Sequence, residues 1–301
     1  MVVTGDLRGT GSGSLLMGCG YVGARLARRL VERGPVLALV RTLASAEALF
    51  AGGIPAGVLD LDTRAQGVAM DLPSGLQSVV YLAPPSGTGV EELRLARFLE
   101  LLGEARPMVL LYLSTTGVYG DTGGAPVDEA SPVAPREERS RQRLDAERRV
   151  AQWGAERGVR PVVFRVPAIY GPHRLSLDRL RRGEPVLRSG DSGPGNRIQV
   201  DDLVDACLAA LERPVSGIFN VTDGHPESMA AFTARVAELA SLPAPPQIDW
   251  AEAQRVLSPG LLAFLQESRL VRTRRTQDLG WTPRFGNPAD GIRASLREMG
   301  F

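Results

Sequence analysis

The chain has 301 residues, of which 44% are hydrophobic, and its formal net charge is +1 at pH 7. This length and composition allow one large α/β domain or one and a half, and the near-neutral charge favours neither a nucleic-acid nor an anionic-membrane partner. There is no bilayer-length apolar run and no signal-peptide core, and Cys19 and Cys207 do not suggest a disulfide framework, so we expect a cytoplasmic protein.

Residues 1–13 are rich in Gly and Thr without periodicity, and we predict a loose extension. The first strong pattern is Gly18-Cys19-Gly20-Tyr21-Val22-Gly23, which follows a short apolar run and opens a segment with helical spacing over 21–33. In such a pattern Gly18 permits a tight turn, Gly20 lets the backbone approach a pyrophosphate, and Gly23 lets the helix pack against the strand. The buried-strand pattern at 36–40 supports a dinucleotide site, and a structural glycine turn is the alternative.

Arg41 and Thr42 follow the second predicted strand, eighteen residues after Gly23. Sites for NAD usually carry Asp or Glu here to accept hydrogen bonds from the ribose hydroxyls. A guanidinium cannot accept a hydrogen bond, but it pairs well with a 2′-phosphate. Arg41 therefore favours NADP over NAD, and a solvated surface arginine is the alternative.

Strand and helix patterns continue to alternate along the chain. Apolar runs predict strands at 58–61, 78–83, 108–113 and 161–166, and amphipathic spacing predicts helices at 91–102 and 137–156. Six strands separated by helices imply an α/β fold with a doubly wound parallel sheet of the Rossmann type. We assign 14–166 to this domain and 167–301 mainly to a smaller C-terminal substrate lobe, from which about 197–222 returns to the first domain.

Several short stretches occur in the order and spacing of one known family. After 18–23 they are Leu59-Asp60-Leu61, Tyr81-Leu82-Ala83, Ser114 to Gly120, Val127 to Pro132, Phe164 to Pro172, Arg197 to Leu203, Phe219-Asn220-Val221 and Leu279 to Pro283. On these stretches the chain resembles the extended short-chain dehydrogenase/reductase family, also called NAD-dependent epimerase/dehydratases.

The resemblance implies a cofactor site and one catalytic hydroxyl. Residues 18–23 would hold the pyrophosphate, and Thr115 matches the Ser or Thr that hydrogen-bonds the reacting oxygen. A strand-end hydroxyl that caps local backbone is the alternative for Thr115. Asp60 and Leu61 would flank the adenine. Leu82, Ala83 and Pro84 would line the ribose and nicotinamide side, and Pro167 would run near the nicotinamide.

The family's Tyr-x-x-x-Lys pair is missing from this chain. Alignment of the long helix places Arg139 at the Tyr position and Arg143 at the Lys position, and no Tyr lies between Tyr119 and Tyr170. All 35 basic residues are arginine, and a guanidinium does not release its proton in proteins. Arg143 could hold the nicotinamide ribose, and Arg139 could bind an anionic group or stabilise an oxyanion. A solvated helix face is the alternative for both.

Few other side chains could move a proton. Tyr119 is a candidate, although family members with the intact pair carry it too, and His173 at the expected pocket mouth is another. No cluster has metal-ligand spacing. Arg174, Arg179, Arg181 and Arg182 form a basic stretch that could meet an anion or face solvent.

Two functions remain open. One is an NADP(H)-dependent, epimerase/dehydratase-like oxidoreductase with a non-standard active site. The other is a catalytically silent NADP(H)-binding sensor or interaction protein. We expect an unidentified small-molecule substrate for the first, no nucleic-acid or membrane partner, and a homodimer as one option for assembly.

Overall fold

The computed structural model describes residues 3–4, 13–63, 72 and 75–301. Its helices are α1 (Tyr21–Val31), α2 (Leu43–Ala51), α3 (Leu93–Leu101), α4 (Glu138–Arg157), α5 (Leu177–Arg181), α6 (Val200–Glu212), α7 (Met229–Leu239), α8 (Trp250–Val256), α9 (Pro259–Gln266) and α10 (Pro288–Glu298). Its strands are β1 (Val3–Thr4), β2 (Gly13–Met17), β3 (Val36–Val40), β4 (Ala56–Val58), β5 (Leu76–Tyr81), β6 (Val109–Thr115), β7 (Pro126–Val127), β8 (Arg160–Val166), β9 (Ala168–Tyr170), β10 (Val186–Leu187), β11 (Arg197–Gln199), β12 (Gly217–Asn220), β13 (Gln247–Ile248) and β14 (Leu270–Val271).

The chain divides into two compact units. The first unit comprises Met1–Thr115, Glu137–Arg165 and Val204–Phe219, and the second comprises Thr116–Arg136, Val166–Leu203 and Asn220–Phe301. The boundary near 166 lies where the sequence pattern becomes irregular. The segment 116–136 differs from expectation, because it belongs to the second unit although it lies within the predicted first domain.

The first unit contains a sheet with the strand order β1-β4-β3-β2-β5-β6-β8-β12. Seven strands run parallel and β1 pairs antiparallel with β4 at one edge, so the predicted α/β, Rossmann-type fold is confirmed. The strand β2 lies between β3 and β5, with Leu15 opposite Leu37 on one side and Val79 on the other. The strand order reverses at β2, and in sheets of this kind ligands bind at the carboxyl ends beside such a point.

The sheet is buried against helices of the first unit. Leu15, Leu39 and Val79 are fully buried, and Phe98 of α3 and Trp153 of α4 belong to the same apolar cluster. Near-continuous apolar strands are the pattern expected of a parallel sheet that is covered on both faces. This core fixes the carboxyl ends of β2, β3, β5 and β6, where most of the predicted site residues lie.

The structure corrects several predicted elements. The sheet has eight strands rather than six, because β1 and β12 are too short to show a period. Helix α2 was not predicted, because its apolar residues are spread around the helix and give no clear helical period. Strand β4 ends at Val58, because the following residues form a turn in which Asp62 N donates to Asp60 Oδ1 at 2.9 Å. Val3–Thr4 joins the sheet, whereas residues 1–2 and 5–12 of the predicted extension lie outside the described residues.

The second unit has a core of its own around α7 and α10. Tyr170, Leu180, Phe232, Val236 and Ile292 are among the buried members of this cluster. Two-stranded parallel ladders join β9 to β11, β10 to β13 and β7 to β14. No helix in the described part of the chain is both long enough and apolar enough to cross a membrane.

Candidate functional site

Of the three glycines in the loop between β2 and α1, one leaves open space beside it. Gly18 has φ +93°, and a Cβ there would lie 2.5 Å from Ala83 N; a Cβ at Gly23 would lie 2.5 Å from Gly18 O. At Gly20 an added Cβ would meet no atom within 4 Å. Gly18 and Gly23 are therefore needed for close packing, whereas Gly20 leaves its surroundings open.

This open position lies at the start of α1. Gly20 is the N-cap of α1 and has no side chain to satisfy the first N–H groups of the helix. Such N–H groups and the helix dipole favour an anion. Val22 is buried, and the Arg25 guanidinium lies over the Tyr21 ring, 4.6 Å from its centroid. The residues present therefore fit the pyrophosphate of a dinucleotide.

Arg41 lies exposed at the carboxyl end of β3. Thr42 is the N-cap of α2, and its side chain accepts a hydrogen bond from Ser45 N at 3.3 Å, so it has a structural role. The nearby acid Asp62 is already paired: Arg94 Nε and Nη2 donate to its two oxygens at 2.7 and 2.5 Å. This hydrogen bonding by Arg94 lowers the pKa of Asp62. Arg41 is thus an exposed cation beside an acid whose oxygens are engaged elsewhere.

The remaining predicted cofactor residues lie at or beyond the carboxyl ends of the strands. Asp60 is half-buried in the turn after β4, and Leu61 is buried in the core of the first unit. Ala83 is buried against Gly18, whereas Pro84 is exposed. Leu82 donates its N–H to Met17 O at 2.8 Å, and Pro167 lies half-buried directly after β8.

Thr115 is the last residue of β6 and is half-buried. Directly before it, Ser114 Oγ donates to Glu147 Oε1 at 2.5 Å, and Arg165 Nη2 donates to Glu147 Oε2 at 2.7 Å. All three side chains of this network are buried. This network was not predicted, although an arginine inside the apolar strand at 161–166 indicates a buried acidic partner.

Arg143, at the position of the family's lysine, is bound to β6. Its Nη1 donates to Leu113 O at 2.6 Å and to Tyr112 Oη at 3.2 Å, and its guanidinium lies 5.6 Å from the centroid of the Tyr112 ring. Burial raises the pKa of Tyr112 to about 12, although Arg143 opposes this increase. Arg139 is exposed in the first turn of α4.

Tyr119 lies in the second unit, in the short 3-10 helix Thr116–Tyr119. It is 2% exposed, and its Oη donates to Asn220 Oδ1 at 2.8 Å. Asn220 in turn donates from Nδ2 to Arg272 O at 2.9 Å. These contacts favour the structural interpretation of Tyr119, because its proton is held inside the unit.

The other reactive side chains have less activated surroundings. Burial raises the pKa of Cys19 to about 12, so its thiol is not a ready nucleophile. His173 is exposed with φ +62°. Arg179 and Arg182 pair with Glu184 and Arg181 pairs with Asp178, so much of the basic stretch is neutralised locally. Among the described residues, no group of three His, Cys, Asp or Glu side chains could hold a metal ion.

Comparison with known proteins gives relatives along most of the chain. A Streptomyces 3-diazoavenalumate denitrifying reductase is 30% identical over 44% of this chain and 45% of its own length, so the match spans less than half of that enzyme. The chloroplastic Epimerase family protein SDR39U1 homolog of Arabidopsis thaliana is 23% identical over 92% of this chain and 84% of its own length.

Solved structures show the same fold. A functionally unknown conserved protein from Silicibacter pomeroyi has a TM-score of 0.81 and 30% identity, covering 97% of this chain and 100% of that one. MoeE5, solved in complex with UDP-glucose and NAD, has a TM-score of 0.73 and 21% identity over 96% of this chain and 98% of its own. The model of the NAD dependent epimerase/dehydratase family matches residues 15–222, and the chain therefore belongs to that family.

Proposed function

We propose that this protein is an NADP(H)-dependent oxidoreductase of the epimerase/dehydratase type. It would act on a small molecule, and it would do so without the Tyr-Lys pair of the family. The observation that carries the proposal is the glycine loop: Gly18 and Gly23 have no room for a Cβ, whereas Gly20 is open at the start of α1. A neighbour with NAD bound and a relative that is a reductase support a redox use of this loop.

The preference for NADP rests on Arg41. Its exposed guanidinium follows β3, the position from which the ribose of the adenosine half is read in such folds. A 2′-phosphate would form charge-assisted hydrogen bonds with this guanidinium. Asp62, the acid near Arg41, is engaged by Arg94 and is therefore poorly placed to accept from a free 2′-hydroxyl.

The chemistry would be divided between cofactor and protein. Bound NADP(H) would supply hydride transfer at the nicotinamide. Thr115 would hydrogen-bond the reacting oxygen of the substrate, and the buried Ser114–Glu147–Arg165 network would hold the end of β6 in place. Arg143 is bound to β6, and a guanidinium does not release its proton in proteins, so Arg143 would supply positive charge and position rather than act as an acid. Arg139 offers a second exposed positive charge at the start of α4.

Cofactor titration tests the NADP assignment. We expect Arg41→Ala to weaken NADPH binding by roughly 10- to 100-fold, the loss of a charged hydrogen-bond pair, and to leave NADH binding nearly unchanged. Isothermal titration calorimetry measures both dissociation constants. Arg28→Ala, which removes another exposed arginine from α1, is the matched control. If both variants weakened NADPH binding equally, Arg41 would not have the role assigned to it. If the unaltered protein bound neither NADPH nor NADH, the whole proposal would be refuted.

A turnover screen tests the catalytic part. Nicotinamide absorbance is followed over aldehydes, ketones and sugars, and we expect any activity found to fall by at least about 100-fold in Thr115→Ala. Retained NADPH affinity in that variant serves as its control. Tight NADPH binding with no turnover on any compound would favour the catalytically silent sensor.

A further inference from the structure

Arg94, in the first turn of α3, joins this helix to the segments that follow β4 and β5. Its Nε and Nη2 donate to the two carboxylate oxygens of Asp62 at 2.7 and 2.5 Å. Its Nη1 donates to Pro84 O at 3.1 Å and to Pro85 O at 2.9 Å. We infer that Arg94 is a positioning residue that shifts the preference of the cofactor site toward NADP(H), because it engages a carboxylate that would otherwise pair with Arg41 or with the ribose. This role rests on the proposed function, since it concerns the same cofactor site.

Asp62 and Arg41 lie within electrostatic reach of each other in the first unit. The pKa of Asp62 is lowered mainly by its hydrogen bonds from Arg94, and the positive charge of Arg41 lowers it further. The proposed function assigns Arg41 to the 2′-phosphate of the cofactor. The carboxylate of Asp62 therefore acts on the guanidinium that would read this phosphate, and its choice of partner affects the cofactor site.

The geometry favours Arg94 as the partner of Asp62. Single hydrogen bonds between exposed ions contribute little, because water screens the charges and two long side chains must be held in one arrangement. Here the pair is bidentate, which is the strong form of an arginine–carboxylate contact. The Arg94 side chain is only 16% exposed and is also held by the two proline carbonyls, whereas Arg41 is exposed. Arg94 is thus fixed in advance, and it binds Asp62 at a smaller entropic cost than Arg41 would.

A second arginine of α3 holds the same turn without binding its acid. Arg97, one helical turn after Arg94, donates from Nη1 to Leu61 O at 2.5 Å. Its positive charge also lowers the pKa of Asp62, although less than the hydrogen bonds from Arg94 do. Removing Arg97 would therefore loosen the turn after β4 and remove one positive charge, but it would leave both oxygens of Asp62 engaged. This difference between two arginines of one helix provides a matched control.

Release of Asp62 would affect the two cofactors in opposite directions. A released carboxylate would pair with Arg41 and weaken its hold on a 2′-phosphate, or it would repel the phosphate directly. Either effect reduces the affinity for NADPH. The same carboxylate could accept a hydrogen bond from a free 2′-hydroxyl, as the acids of NAD sites do, which raises the affinity for NADH. The ratio of the two affinities therefore reports the state of Asp62.

The test is a calorimetric titration of the full chain with NADPH and with NADH, which gives the ratio of the NADH to the NADPH dissociation constant. We expect this ratio to fall at least about tenfold in Arg94→Met, in which methionine keeps the helix propensity of the position. A merely structural role of Arg94 would weaken both nucleotides by the same factor. A ratio that changes by less than about threefold in the folded variant would therefore overturn the inference.

Further variants show whether Asp62 causes the change. The double variant Asp62→Asn/Arg94→Met has no carboxylate to release, so its ratio should return to within about threefold of that of the natural chain. Arg97→Met, the matched control, should change the ratio by less than about threefold. A double variant shifted as far as Arg94→Met, or a control shifted equally far, would refute the role of the Arg94–Asp62 pair.

A conservative variant keeps the test valid if circular dichroism shows that Arg94→Met does not fold. In Arg94→Lys the charge remains, but one ammonium group cannot bind both carboxylate oxygens and both proline carbonyls as the guanidinium does. We expect the ratio to fall at least about threefold in this variant. An unchanged ratio in Arg94→Lys would overturn the inference.

The same titrations separate this inference from the proposed function. A ratio that falls in Arg41→Ala but not in Arg94→Met would refute only the role of Arg94. Tighter binding of NADH than of NADPH by the natural chain would refute the NADP(H) assignment, whereas a further shift toward NADH in Arg94→Met would still support the role of Arg94. Binding of neither nucleotide would refute both.

Discussion

At the scale of single residues, Asp223 is a buried carboxyl of the second unit. It is 4% exposed, and its Oδ1 accepts from His225 N at 2.9 Å, whereas Oδ2 has no partner among the described residues. Burial raises the pKa of Asp223 to about 7, and the His225 N–H and Arg197 only partly oppose this. The charged form of Asp223 is therefore destabilised by folding.

The sign of the pH effect follows from the raised pKa. The ordinary pKa of this carboxyl is 3.8 and the folded value is about 7, so between these values the folded state binds more protons than the unfolded state. Stability then falls as the pH rises through this window. In Asp223→Asn the group stays uncharged and can still accept from His225 N.

We expect the unfolding free energy of Asp223→Asn, compared with that of the natural chain at the same pH, to rise by about 1–3 kcal/mol from about pH 5 to about pH 8. Urea denaturation at both pH values measures this difference. Asp290→Asn, which alters an exposed carboxylate of the same unit, is the control and should show no comparable gain. A gain of equal size at the two pH values would contradict the raised pKa.

At the scale of elements, α4 is joined to the sheet by two side chains one turn apart. Arg143 donates to Leu113 O of β6, and Glu147 accepts from Ser114 of β6 and from Arg165 of β8. In the family that the sequence resembles, the position of Arg143 belongs to a catalytic lysine. Here the structure shows a contact that fixes the helix on β6, one residue away from Ser114 and two from Thr115.

The buried Glu147–Arg165 pair makes this attachment testable. Removing one partner leaves a buried charge unpaired, so Glu147→Ala should lose about 3–5 kcal/mol of unfolding free energy. The double variant Glu147→Leu/Arg165→Leu should recover most of this loss, because no charge is left unpaired. Arg149→Ala on the same helix breaks a partly exposed pair with Asp145 and should cost less than about 1 kcal/mol. Chemical denaturation measures all three, and a double variant as unstable as Glu147→Ala would contradict the explanation.

At the scale of the whole molecule, the first unit is assembled from three separate segments of the chain. The last segment, Val204–Phe219, returns to the sheet and provides most of β12. Arg160 Nη1 donates to Val215 O at 2.6 Å, Phe219 packs edge-on against Phe164 at 6.1 Å, and Asp205 pairs with Arg29 at 3.1 Å. The first unit is therefore incomplete until residue 219 has been made.

We expect a fragment of residues 1–166 to lack cooperative thermal unfolding, because it exposes the edge of β8 and the Phe164 ring. Joining residues 204–219 to this fragment through a Gly/Ser linker should restore a cooperative transition, followed by circular dichroism. Cooperative unfolding of the short fragment at the temperature of the full chain would show that the returning segment is dispensable.

The glycine loop at 18–23 and the alternating strands and helices could be predicted from the sequence, because glycine spacing and hydrophobic period are local properties of a chain. Short strands such as β1 and β12 could not be predicted, since two to four residues carry no period and their pairing depends on distant segments.

The amino-acid sequence by itself determined the α/β class, the family resemblance and the absence of the Tyr-Lys pair, because these depend on residue identity and spacing. Only the tertiary structure decided that Arg143 is bound to β6, that Tyr119 is held by Asn220, and that Glu147 pairs with Arg165. Each of these outcomes depends on which side chains distant in sequence meet, and on whether water is excluded where they do.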